Sequence, residues 1–241
     1  MQISDTRCYG KNVNIDNIDV KIFWEERAKN AKDLNTVLLG NQKNSKEGNL
    51  RNKKEFEIVE QILGKLEGIS ILDIGCGMGR WANNLKDRYC DYTGLDYSSD
   101  FIEYNKKNYP NMMFYTMSAA NIDTSKLYKT YDLVIINGVL MYINDEELNN
   151  VFDTVSKLNP QNVYLQESVS VIGERLTLNK FYSQELKKNY SAIYRKPEEY
   201  QNLLDKYLSN YKIVESDLLL DEKSGARQET NAKYWILKRD K

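Results

Sequence analysis

The run Ile69-Ser-Ile-Leu-Asp-Ile-Gly-Cys-Gly-Met-Gly-Arg-Trp81 decides how the rest of the chain is read. Its first half is apolar and rich in β-branched residues, short enough for a strand covered on both faces and interrupted only by Ser70 and Asp73. The glycines at 75, 77 and 79 then permit positive φ and let a ligand lie against bare backbone. The residues from Arg80 to Asp87 read as a helix, so the unit is strand, glycine turn, helix, and its helix amides would face a negatively charged ligand group.

Spacing separates the cofactors that use such a turn. A dinucleotide fingerprint needs Gly-x-Gly-x-x-Gly, and counting from Gly75 and Gly77 its third position is Arg80, which disfavours an NAD-dependent oxidoreductase. The pattern present is Asp-x-Gly-x-Gly-x-Gly with Asp73 ahead of the turn. A second short strand, Tyr92-Thr-Gly-Leu-Asp96, ends in an acid about 20 residues past the glycines, where a carboxylate accepts ribose hydroxyls. A third element, Tyr131 to Asn137 followed by Gly138-Val-Leu-Met-Tyr142, delivers polar residues at a strand's carboxyl end. The bland alternative is a tight turn with no ligand.

Together these residues resemble motifs I and IV of the class I S-adenosylmethionine (SAM)-dependent methyltransferases, over residues 56–165. The resemblance implies an α/β, Rossmann-like methyltransferase fold: a seven-stranded, mostly parallel sheet with helices on both faces and an antiparallel last strand. It implies SAM as cofactor and S-adenosylhomocysteine (SAH) as product. Asp73, Gly75, Cys76 and Gly77 would form the turn, Asp96 with Tyr97 and Ser98 would take the ribose, and Ser118 and Ala119 would bound the adenine. The turn at Ser118 to Asn121 lacks the acid often found there, leaving Ser118 or backbone for the adenine amino group. Asn137, Gly138 and Tyr142 would line the methyl-transfer position, although Tyr142 also reads as a core residue.

The chain of 241 residues suits one domain: an N-terminal cap over 1–55, a cofactor-binding core over 56–167, a substrate-lid insertion over 168–196, and a C-terminal helix with closing strands over 197–241. Lys+Arg 34 against Asp+Glu 35 gives a net charge of −1, so no global basic footprint for nucleic acid exists and none is expected as a partner. The N-terminus lacks an apolar signal and no run approaches membrane-spanning length, so a cytoplasmic location off the membrane is expected. Three scattered cysteines argue against a disulfide framework or structural zinc, and Cys76 reads as a small filler. Histidine is absent, 0 in the chain, so proton transfer must use Asp, Glu, Tyr, Lys, Cys or water, and no carboxylate cluster is spaced for a metal.

Residues 1–20 read as a polar arm, Asn41 to Asn49 as a loop, and Arg51 to Leu66 as a helix ended by Gly68. The segment Ile22-Phe-Trp-Glu-Glu-Arg-Ala is similar to a helix that closes over the cofactor in small-molecule methyltransferases. In that likeness Trp24 flanks the cofactor and Arg27 pairs with its methionine carboxylate; a core Trp24 and a solvated Arg27 are the equal alternative. The insertion interleaves Arg175, Lys180, Lys187, Lys188 and Arg195 with Phe181, Tyr182, Tyr190 and Tyr194, suiting an acceptor with an anionic handle, although solvated faces explain the lysines as well. Tyr194 and Arg195 are the candidate substrate-binding pair. Glu167, ending a strand, is the first candidate base, followed by Glu229 and Tyr182, with an ion pair from Glu167 to Arg175 or Arg195 as its alternative.

The cap helix and lid together look similar to methyltransferases found with capsule and other surface-polysaccharide synthesis. That likeness implies O-methylation of a sugar or sugar nucleotide. The alternatives are N-methylation of a small amine, methylation of a non-sugar small molecule or of RNA, or cofactor binding without turnover. Oligomeric state is left open by the sequence.

Overall fold

The computed structural model describes residues 6–31, 33–38, 45–127, 130–184, 186–220 and 227–240. Strand β1 (Arg7–Tyr9) leads to helix α1 (Asn17–Lys29), which begins where the Asp16 side chain accepts the Ile18 and Asp19 amides. The N-terminal segment expected to be a polar arm is therefore built into the fold. Helix α2 spans Ser45–Leu63, starting before the expected Arg51. Of the loop expected over 41–49, residues 41–44 lie outside the described residues and 45–49 are already helical.

The central unit then alternates strand and helix: β2 (Ser70–Ile74), α3 (Arg80–Leu85), β3 (Asp91–Asp96), α4 (Ser99–Asn108), β4 (Met113–Thr116) and β5 (Leu133–Asn137). Next come a single 3-10 turn at Leu140–Tyr142, α5 (Asp145–Leu158) and β6 (Asn162–Ser170). The hairpin β7 (Leu176–Ser183) and β8 (Lys188–Tyr194), helix α6 (Pro197–Tyr207), and strands β9 (Tyr211–Leu218) and β10 (Thr230–Arg239) complete the chain.

Seven strands form one sheet in the order β4-β3-β2-β5-β6-β10-β9. The pairs from β4 through β6 are parallel, whereas β10 runs antiparallel to both β6 and β9. This is the Rossmann-like methyltransferase arrangement expected from the sequence, with the order reversing between β2 and β5. Parallel strands buried on both faces read as continuous apolar runs, and Leu133 to Ile136 are at most 1% exposed. One face of the sheet packs with α5 and α6 through Val151, Phe152, Tyr200 and Trp235; the other packs with α2 and α3 through Val59, Trp81 and Leu85.

A second sheet of three strands, β1-β7-β8, comes from the insertion expected as a lid, joined by the N-terminal strand. It packs with α1 through Phe23, Trp24, Tyr190 and Ile193, forming an apolar cluster over the sheet's carboxyl edge. Two of its lysines face α1: Lys180 pairs with Asp19 at 2.8 Å and Lys188 with Glu26.

The sheet leaves no room beside Gly94, where an added Cβ would sit 2.8 Å from Phe114 Cδ1 and 2.9 Å from Cys76 Sγ. Overpacking of this kind costs about 1–3 kcal/mol. Gly94→Ala is expected to lower the melting temperature, measured by circular dichroism; an unchanged value would show that Phe114 and Cys76 yield freely.

Candidate functional site

The glycine turn is fastened to the end of β3. The Gly75 and Cys76 amides both donate to the Leu95 carbonyl, at 2.7 and 2.8 Å, and the Gly77 amide donates to Asp96 Oδ2 at 3.0 Å. These three turn amides are therefore bonded within the protein, because parallel pairing of β2 and β3 brings the end of β3 alongside the turn. Gly75 and Gly77 have φ of +79° and +51°, and a Cβ at either would meet Val139 Cγ2 at 2.1 Å or Val37 Cγ1 at 2.8 Å. Only glycine fits both the conformation and the space.

The turn borders a crevice of about 990 Å³ at the carboxyl ends of the strands. Asp73, Gly75, Cys76, Gly77, Asp96 and Tyr97 form one part of its wall, and Ser118 and Ala119 close that end. Trp24, Asn137, Gly138 and Tyr142 also line it, as the sequence resemblance implied. Asp96 accepts the Ser98 and Gly77 amides and, among the described residues, no cation; burial pushes its carboxyl up to about 6 against those bonds. Asp73 is fully enclosed, accepts the Tyr92 hydroxyl at 2.5 Å, and is pushed by burial to about 7. The Cys76 thiol is raised by burial and stays protonated, in keeping with a filler.

Two expected cofactor residues stand behind the wall. Ser98 caps α4, accepting the Phe101 amide at 3.4 Å. Arg27 lies over the Phe23 and Trp24 rings, at 5.6 and 5.7 Å, and donates to the Leu38 carbonyl, so the structure does not aim it at a methionine carboxylate. Burial lowers its pKa.

The acids proposed as bases are corrected by their surroundings. Glu167 is 0% exposed and off the crevice wall, and its carboxylate accepts three amides, from Val139, Leu140 and Met141. It shapes the turn after β5 instead of facing an acceptor, and it makes neither ion pair considered from sequence; burial pushes it to about 7. Glu229 does line the crevice, but Arg7 and Tyr9 both donate to it and hold its carboxyl below the usual range. Tyr182 is 51% exposed and outside the wall.

The proposed substrate pair separates. Tyr194 lines the crevice and donates to the Tyr190 hydroxyl at 3.4 Å, while Tyr190 meets the Tyr142 hydroxyl at 3.0 Å. Arg195 is only 1% exposed; it donates to the Leu140 and Ile143 carbonyls and pairs with Asp145, which also holds Arg175. Alternation along β8 sends neighbouring side chains to opposite faces, which one-dimensional reading missed.

The structure also brings in residues the sequence gave no reason to join. Glu55 of α2 accepts Arg51 Nε at 2.7 Å, Arg80 Nη2 at 3.0 Å and Asn137 Nδ2 at 3.0 Å, with Arg51 and Arg80 on the crevice wall. Burial alone would raise Glu55, but the two guanidiniums hold it below its ordinary value. The i, i+4 spacing of Arg51 and Glu55 was the available signal. Among the described residues, no group of His, Cys, Asp and Glu could hold a metal ion, and no helix is long and apolar enough to cross a membrane.

Residues 71–160 match the family described as a methyltransferase domain. The sheet that carries them has the Rossmann-like methyltransferase fold. Phosphoethanolamine N-methyltransferase 1 of Zea mays is 28% identical over 155 residues, 61% of this chain and 30% of that protein. The chain thus spans less than a third of that curated relative. A Haemonchus contortus phosphoethanolamine N-methyltransferase, solved with phosphoethanolamine and SAH, superposes with a TM-score of 0.67 at 20% identity, covering 93% of this chain and 49% of the other. The Synechocystis magnesium protoporphyrin IX methyltransferase, solved with SAM, gives 0.61 at 15% identity over 95% and 100%. The acceptors named for those two proteins are chemically different, so this fold does not fix the substrate.

Two tests follow from these environments. A carboxyl raised above its unfolded value contributes stability below that value and loses it as pH rises through the folded pKa. With Asp96 near 6 and Asp73 and Glu167 near 7, the ligand-free protein is expected to melt at higher temperature at pH 6 than at pH 8; the reverse order would contradict these environments. Arg195→Met leaves two buried carbonyls without donors, at about 1–3 kcal/mol each. Chemical denaturation should register that loss, whereas acceptor KM at a temperature where the variant is folded should stay within about twofold.

Proposed function

We propose that the chain binds SAM in this crevice and transfers its methyl group to a small molecule, with the nitrogen of an amine as the favoured acceptor. The fit to the cofactor rests on Asp96, a buried carboxylate facing the crevice with no cation to neutralise it, which suits a ribose diol as hydrogen-bond donor. The small side chains of Ala119 and Ala120 leave space for a flat ring beside Ser118. When bound, SAM supplies an electrophilic methyl on a sulfonium, and the protein's task is mainly alignment.

The observation that favours nitrogen is the state of the wall's acids and phenols. Asp73 holds Tyr92, Glu147 holds Asn17, Glu229 holds Arg7, and Asp96 faces the ribose position. Burial raises the Tyr142, Tyr190 and Tyr194 hydroxyls, so none is poised to remove a proton from an alcohol. A neutral amine needs no such base. Its methylated product is cationic, and the wall of Trp24, Tyr142, Tyr190, Tyr194 and Phe181 offers aromatic faces that favour a cation.

The second reading is O-methylation of a sugar or sugar nucleotide, as in surface-polysaccharide synthesis. Its support is Glu229, a carboxylate on the wall, and Tyr194; Arg195 and Glu167 no longer contribute. A cytoplasmic, single-domain protein acting without nucleic acid or membrane accords with either reading.

Calorimetry with SAH and with NAD tests the cofactor: SAH binding weakened at least tenfold by Asp96→Ala is expected, and NAD binding in its place would end the proposal. Product analysis by mass spectrometry, with parallel panels of small amines and sugar nucleotides, tests the acceptor. Methylated amine is expected; methylated sugar alone would transfer the assignment to oxygen.

A further inference from the structure

Register along one strand measures how far the crevice runs. The Gly138 amide donates to the Gln166 carbonyl at 2.8 Å, so the position proposed for methyl transfer stands beside the middle of β6. From there β6 continues to Ser170 with β10 antiparallel to it, Ser168 opposite Ala232 and Ser170 opposite Thr230. The Val171 amide then donates to the Glu229 carbonyl at 2.9 Å. Ser168, Glu229, Thr230, Asn231 and Ala232 all line the crevice, so its wall follows this ladder. Gln166 to Val171 is a step of five residues, which at about 3.3 Å per residue is roughly 16 Å of strand. A crevice of about 990 Å³ is large for one small ligand, and a bound nucleoside leaves room for an acceptor along that length.

The far end carries charge. Arg7 of β1 pairs with Glu229, which also accepts the Tyr9 hydroxyl at 2.8 Å, and the paired side chains are 34% and 37% exposed. Among the described residues Arg7 makes two hydrogen bonds, from Nη2 to Glu229 and from Nε to the Tyr9 hydroxyl at 3.1 Å, of the five its guanidinium can donate. Arg227 is exposed and on the same wall, and its amide donates to the Thr230 carbonyl at 3.2 Å, which sets it at this level. Two guanidiniums thus meet one carboxylate at this end among the described wall residues, and the field of both reaches the Tyr194 hydroxyl. The other wall carboxylates lie elsewhere, Asp73 and Asp96 beside the glycine turn and Glu147 with Asn17. Arg7 stands opposite Leu178 in the lid sheet, and Leu176, Leu178 and Phe181 make that side of the wall apolar.

We infer that the acceptor is an elongated molecule with its methylated atom at one end, an apolar middle and, at the other end, an oxyanion held by Arg7 and Arg227. Arginine presents a fork of donors suited to a carboxylate or a phosphate, and the half-open position of Arg7 lets it take one without leaving Glu229. A compact acceptor touches only one end of this wall. The inference deepens the proposed function and rests on it for which atom is methylated, whereas the anion seat stands on the wall alone.

Glycine, 8-aminooctanoate, 8-aminooctyl phosphate and octylamine, which lacks the anion, are titrated calorimetrically into SAH-saturated protein. At least one of the long acids is expected to bind at least tenfold more tightly than octylamine and than glycine, and the tighter of the two names the oxyanion. The ratio of its affinity to that of octylamine should fall at least tenfold in Arg7→Met and in Arg227→Met, the second serving if the first fails to fold. If SAH does not bind, the cofactor assignment fails and the same titrations into ligand-free protein decide the seat. If the long acids bind as expected but mass spectrometry finds no methylated amine, nitrogen fails as the acceptor and the seat stands. The inference is overturned if octylamine or glycine binds as tightly as both long acids, or if the folded variants keep the ratio.

Discussion

Everything at the carboxyl edge of the sheet hangs on how the ends of β2 and β3 are bound to each other. The Leu95 carbonyl takes two amides of the glycine turn and Asp96 takes a third, so the turn is fastened to the acid that ends β3. Asp96 is thereby oriented without a cation beside it. Its burial without a counter-charge is unfavourable alone, and a diol that donates to it offsets this. In the proposed function the turn is a scaffold for a nucleoside, its Gly75, Cys76 and Gly77 amides being already bonded within the protein.

Charge in the outer layer does structural work that its exposure in sequence concealed. Asp145 joins Arg175 and Arg195, anchoring β7 and β8 to the start of α5. Lys180 and Lys188 bind the hairpin to acids of α1, and Arg7 binds β1 to Glu229 near the start of β10. The aromatic wall of the crevice is thus assembled from three parts of the chain, each held by ion pairs at its rim. Half-exposed pairs such as those of Lys180 and Lys188 contribute little energy individually, so their main effect is to fix which surfaces meet.

The acids of the crevice wall, Asp73, Asp96, Glu147 and Glu229, each accept hydrogen bonds from the protein itself, and aromatic side chains line much of the rest. Such a site aligns reactants and tolerates positive charge better than it moves protons. This chemical bias favours the amine reading over the sugar reading, for which Arg195 had been a candidate substrate residue and Glu167 a candidate base. Both are consumed by the backbone of the turn at Leu140–Tyr142.

The sequence by itself determined the sheet and the turn, and it named Asp96 at the end of β3. Apolar runs, glycines and the spacing from Asp73 to Asp96 are local patterns, and a parallel α/β sheet forces local patterns to adjacent strand ends. It also named the wall residues Asn137, Gly138, Tyr142, Trp24 and Tyr194, because each follows a strand end or lies on an amphipathic stretch. Only the tertiary structure decided which charges are free. Arg27 and Arg195 read alike as cations near a site, yet one lies against aromatic rings and the other against carbonyls, while Arg80, read only as a missing glycine, reaches the wall. An ionisable side chain takes its role from its partners, and those partners, such as Glu55 with Asn137 or Arg7 with Glu229, are far apart along the chain.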